Sequence, residues 1–139
     1  MVKKVVAGLL GADAVPEAAY RVALTGHLPA LQEAYRRYFR ERDVAVMIFP
    51  TTPLPAAKIG EDDTVMLNGM PVPTLATYIR NLGPGSTAGI PGLSVPAGMT
   101  RAGLPVGIAI DGPAGEDQQV LAIGLALEGA LPRLPAPRL

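Results

Sequence analysis

The chain has no cysteine, no tryptophan and a single histidine, His27. Without cysteine, disulfides and thiolate metal sites are excluded, and the redox compartment stays open. One histidine rules out a multi-histidine metal centre and any relay built on several imidazoles. Charge of one sign is also missing, because twelve basic and twelve acidic side chains cancel. That balance argues against nucleic acid or an anionic membrane as a partner. No apolar run approaches the roughly 20 residues that a helical membrane span needs. The stretch Met1 to Leu10 superficially resembles a signal peptide, but its apolar run is short, interrupted at Gly8 and Gly11, and soon followed by Asp13. The expectation is a cytoplasmic protein. Only four tyrosines and two phenylalanines are present, so the core must be built from Val, Ile, Leu and Ala.

What the chain does have is glycine and proline, sixteen and fifteen among 139 residues. This is just under the level at which low complexity is expected, yet 49% of the residues are apolar. Disordered chains are poor in apolar residues, so this one folds, as many short elements with tight joints. At this length there is room for one core and not for two ordinary domains.

Pro16 suits a first helical turn, Glu17 sits where a helix dipole favours an acid, and helix runs to about Leu24. Gly26 then breaks that helix or bends it into a longer one. From Leu28 to Glu41, Leu31, Ala34, Tyr35, Tyr38 and Phe39 recur at helical steps opposite a charged face. Val44 to Phe49 is a continuous apolar run that predicts a buried strand, and three prolines in Pro50 to Pro55 force the chain out of the sheet. Asn68-Gly69 between apolar flanks predicts a hairpin over 64–72. Thr74 is expected to cap a short helix to about Leu82, with Leu75, Tyr78, Ile79 and Leu82 on its apolar side. Residues 81–89 are expected to form a loop. Two apolar strands, within 89–98 and 103–110, follow around a polar turn. Asp117 to Leu131 is a helix apolar nearly all round, which predicts burial on more than one side. Residues 132–139 form a Pro-rich tail.

Candidate chemistry is sparse. Gly83-Pro84-Gly85-Ser86-Thr87-Ala88-Gly89 looks like a phosphate loop, but Ile90 stands where such a loop needs lysine. Ser86 as a nucleophile would need a base, and His27, Lys58, Lys3 and Lys4 are all distant in sequence. The simpler reading is a polar loop whose hydroxyls satisfy nearby backbone groups. Ser94, inside an apolar strand, reads as packing. Glu61-Asp62-Asp63 reads as a solvated turn, since no further oxygen ligands recur at calcium-loop spacing. No metal and no cofactor is expected.

Phe49-Pro50-Thr51-Thr52-Pro53, then Gly89-Ile90-Pro91-Gly92-Leu93-Ser94-Val95-Pro96, Gly103-Leu104-Pro105-Val106-Gly107 and an apolar helix, occur in an order that resembles the C-terminal part of the amidase signature family. Leu9 to Pro16, Tyr20-Arg21 and Arg80 to Leu93 are similar to the branch acting on aryl acetamides, such as indoleacetamide and mandelamide hydrolases. The resemblance implies an α/β fold, a mixed sheet with covering helices, with residues 1–139 as one partial domain of the larger α/β/α architecture. It also implies acyl transfer by a Ser-Ser-Lys arrangement in the complete enzyme. No catalytic residue carries over, because the family's Gly-Gly-Ser-Ser-Gly-Gly type loop and any Ser-Ser pair are absent here. The chain is therefore expected to be an inactive C-terminal fragment. Thr51, Thr52, Tyr78, Ser86 and Thr87 are expected near the pocket for a small-molecule amide. Possible partners are the missing N-terminal amidase portion or a second copy in a homodimer. A homo-oligomeric assembly module and a small independent hydrolase using Ser86 with Lys58 or His27 are the rival readings.

Overall fold

A computed structural model describes residues 2–11 and 14–135. Ala12 and Asp13 of the N-terminal match, and residues 136–139 of the Pro-rich tail, lie outside them.

Helix α1 spans Val2–Leu10, and α2 spans Glu17–Val22 directly after Pro16, whose extended backbone (φ −58°, ψ 144°) starts it. Gly26 does not break the helix. A π-helical turn, Ala23–His27, carries the chain straight into α3, Leu28–Arg42. Asp43 ends α3 in the left-handed conformation, φ 51°.

Strand β1, Met47–Pro50, is not the buried strand expected from its apolar run. It lies at a sheet edge with alternating exposure, and Ile48 is 57% exposed. One-sided pairing is the physical reason: β1 bonds only to β5, so its run of apolar side chains exceeds what one covered face can bury. As expected, Pro50 ends the ladder.

The Asn68-Gly69 pair does make a hairpin. Strands β2 (Thr64–Leu67) and β3 (Met70–Pro73) pair antiparallel around φ values of 51° and 81°, the backbone a type I′ turn requires. Helix α4 follows as Thr74–Ile79. Thr74 does not cap it. Its Oγ1 donates instead to the carbonyl of Glu61 at 3.1 Å, tying α4 to the loop before the hairpin. The expected apolar side of α4 faces outward: Thr74 and Thr77 are buried, whereas Leu75, Ile79 and Leu82 are exposed. Threonine hydroxyls can be buried here because they bond locally, Thr77 Oγ1 to the carbonyl of Pro73 at 2.8 Å.

Residues 83–88, expected as loop, form a short helix α5, Gly83–Ala88. Pro84 fits its first turn, and Gly89 closes it at φ 73°. Strands β4 (Gly92–Met99) and β5 (Pro105–Asp111) form the expected hairpin, with a bulge between Pro96 and Gly98. The sheet order is β1-β5-β4, and both pairings are antiparallel. Helix α6, Asp117–Ala130, covers one face.

The core sits between α6 and that face, where Val95, Ile110 and Val120 are buried and Ile110 is fully so. Two glycines allow the close approach. A Cβ on Gly124 would stand 2.1 Å from Leu93 Cδ2, and one on Gly112 would stand 2.3 Å from Val120 Cγ2. Helix α6 is not buried on several sides as its composition suggests. Val120 and Gly124 are covered, while Leu121 and Leu125 are 60% and 72% exposed.

Candidate functional site

The other sheet face carries the polar groups. Alternation puts Gly92, Ser94, Ala109 and Asp111 on it, because Gly92 pairs with Asp111 and Ser94 with Ala109. Helices α5 and α3 stand over this face, and Gln32 Nε2 donates to the carbonyl of Ala88 at 3.1 Å to join the two helices. Between α5 and the sheet lies a cavity of about 380 Å³. Ser86, Ser94 and Asp111 contribute its polar groups; Leu82 and Ile90 contribute apolar wall.

Each polar group is positioned by a specific local feature. Ser94 was expected to be buried packing, but its side chain is exposed. Its Oγ lies 2.6 Å from Thr51 Oγ1, in the first residue after β1. Thr51 is itself held by its N–H, which donates to the Gly107 carbonyl at 3.0 Å. Gly107 leaves room for this hydroxyl pair, since a Cβ there would come within 2.8 Å of Thr51 Oγ1 and 3.0 Å of Ser94 Oγ. Asn81 Nδ2 donates to the Pro50 carbonyl at 2.8 Å and so anchors the α4–α5 corner beside the end of β1.

Asp111 closes strand β5 and is only 6% exposed. Gly85 of α5 and Gly92 of β4 crowd its carboxylate: a Cβ at position 85 would stand 2.5 Å from Oδ2, and one at position 92 would stand 2.8 Å from Oδ1. Burial pushes the Asp111 carboxyl above the usual carboxylate range. Tyr35 on α3 feels the same surroundings. Burial raises its phenol, and the nearby Asp111 charge raises it further.

The five pocket candidates are not gathered in one place. Ser86 lines the cavity with Asp111, and Thr51 reaches its edge through Ser94. Thr52 belongs to a separate groove with Pro50, Pro53, Val106 and Ile108, and its Oγ1 is used locally on the Leu54 carbonyl at 2.7 Å. Tyr78 lines a third depression with Leu54, Val65 and Leu104, its hydroxyl donating to the Pro55 carbonyl at 2.5 Å. Thr87 is exposed on α5. The cavity holding Ser86 is lined by neither His27 nor Lys58, the bases expected for that hydroxyl. Sequence reasoning missed Asp111. A single acid ending the apolar run Val106 to Ile110, before Gly112, was the available signal.

Comparison with known proteins identifies relatives across most of the chain. A family model described as amidase matches residues 6–121. The indoleacetamide hydrolase of Agrobacterium vitis is 50% identical over 117 residues, covering 84% of this chain and 25% of that protein. The mandelamide hydrolase of Pseudomonas putida is 38% identical over 122 residues, 87% of this chain and 23% of the relative. Among solved structures, a crystal structure of an amidase superposes with a TM-score of 0.76 at 34% identity, covering 93% of this chain and 29% of that one. The chain thus spans about a quarter of the length of the curated relatives it matches.

Proposed function

Because this chain belongs to the amidase family, we propose that it supplies the C-terminal part of an amide-hydrolysing enzyme of the aryl acetamide branch and does not hydrolyse amides alone. The observation that carries this reading is the pairing of 50% identity to an indoleacetamide hydrolase with coverage of only a quarter of it. The chemistry of a complete enzyme would be acyl transfer, with a serine attacking the amide carbonyl and ammonia leaving. A Ser-Ser-Lys set would have to come from the remaining three quarters. Within this chain the two serines, Ser86 and Ser94, are not adjacent, and no basic side chain lines the cavity they share. Ser86, Ser94 and Thr51 would then form part of a pocket wall, and a cytoplasmic setting fits the absence of a helix long and apolar enough to span a membrane among the described residues.

The test is ammonia release from indole-3-acetamide by the purified chain, run beside Ser86→Ala. The expected result is no release above the variant. Release that Ser86→Ala abolishes would sink the proposal and identify a small independent hydrolase. A second reading rests on the uncovered α6 residues Leu121 and Leu125 and on the sheet edges at β1 and β4. Self-association would cover them, giving a homodimer. Sedimentation showing a monomer at high concentration would remove that reading.

A further inference from the structure

We propose that the Asp111 cavity is a receptor for one organic cation, an alkylammonium or guanidinium group. This goes deeper into the reading above and rests on it only for where the cation comes from. The argument starts with Asp111 itself. Asp111 as a residue is only 6% exposed and lines the cavity, and its carboxylate oxygens accept no hydrogen bond from the described residues while keeping some accessible surface. A buried carboxylate is stable when its lone pairs meet donors, and costly when they do not. The fold nevertheless holds the group there. Glycines at 85 and 92 let helix and strand close to within contact of both carboxylate oxygens, from sides where any larger residue would collide.

The lining selects the ligand. Besides Asp111 it offers two serine hydroxyls and apolar wall, with no lysine, arginine or histidine. An anion would be repelled by the carboxylate. A metal ion would lack ligands, since no group of three or more metal-ligating side chains occurs among the described residues. A group bearing several N–H donors and a positive charge matches the carboxylate and can also donate to the hydroxyls. At about 380 Å³ the cavity admits such a head with part of its stem. The cation could be a basic side chain from the rest of an amidase or a small ligand, and the two sources are separable by experiment.

The whole 139-residue chain would be titrated with methylammonium chloride at pH 8, against sodium chloride of equal ionic strength. The readouts are the Asp111 carboxyl carbon and the Gly85, Ser86 and Gly92 amides by NMR. Saturable shifts are expected with methylammonium only, and binding weakened by about tenfold or more in Asp111→Asn. Absence of a saturable shift, or equal binding by the variant, overturns the proposal. Should the variant fail to fold, the wild-type chain decides: methylammonium must lower the midpoint of the carboxyl titration, and an unchanged midpoint refutes the site.

The source is read from a hybrid, the Agrobacterium vitis indoleacetamide hydrolase carrying this chain in place of its matching segment. If an internal basic side chain fills the cavity, the carboxyl no longer responds to methylammonium and Asp111→Asn lowers the melting temperature. If a small cation does, the response persists and the variant changes KM for cationic amides. A hybrid that folds but is inactive would count against the proposed function while leaving the methylammonium result to judge the cavity.

Discussion

The two faces of the β4–β5 hairpin are built from the same strands and finished to different degrees. On the α6 face, Leu93, Val95 and Ile110 meet Val120 and Gly124 in close contact. On the α5 face, the same strands present Ser94 and Asp111 to a cavity, with glycines where side chains would have filled it. One face stabilises the fold. The other keeps a charged group at a cost in stability, an arrangement expected where binding rather than packing sets the residue.

Substitutions can break or sharpen this contrast. The largest effect is expected from Ile110→Ala, because the side chain is fully buried on the packed face. Loss of about 2–5 kcal/mol should appear as a lower urea midpoint with an unchanged slope. Gly124→Val attacks the same face by overfilling it against Leu93, and should cost about 1–3 kcal/mol in the same assay. If Gly124→Val were neutral, α6 would be less firmly seated than its contacts indicate.

Asp111→Asn should act in the opposite direction on the isolated chain. The folded carboxyl titrates above its unfolded value, so the native state holds its proton more tightly than the unfolded state. Between those two pKa values stability falls as pH rises, and above both the full cost of the buried charge is present. Asp111→Asn should therefore raise the melting temperature at pH 7.5. The gain should shrink as pH falls through the folded pKa, because the wild-type carboxyl then becomes neutral. A gain independent of pH would mean the benefit is one of packing. Ser94→Ala is the mildest test. It removes one partly solvated hydroxyl contact to Thr51 and should cost roughly 1 kcal/mol or less in the urea assay.

Some of this organisation was legible in the chain. Asn68-Gly69 predicts the β2–β3 hairpin because few other pairs adopt two left-handed residues in succession. Gly and Pro bracket β4 and β5 for a similar local reason. The helical repeat over 28–41 reads directly, as does the departure of the chain at Pro50. Three of the failures share one cause. Strand β1 looked buried, α4 looked apolar on its outer side and α6 looked enclosed, since apolar composition reports what a residue could bury and not which neighbours are present. A chain spanning a quarter of its relatives' length carries that apolar surface without, among its described residues, the partners to cover it. The site was less legible still. Of the five candidates only Ser86 lines the Asp111 cavity, with Thr51 at its rim, and Thr52 and Tyr78 spend their hydroxyls on nearby carbonyls.

By itself the sequence determined the local elements and the family pattern, because turns, caps and periodicity depend on residues a few positions apart. Only the tertiary structure decided that Asp111 lies between Gly85 and Gly92, beneath α5 and beside Ser86 and Ser94. Strand register and helix docking bring those groups together across up to 26 positions of chain. The burial that fixes them there joins residues far apart in the chain, such as Ala88 with Ala109 and Val95 with Val120, which no short stretch of sequence contains.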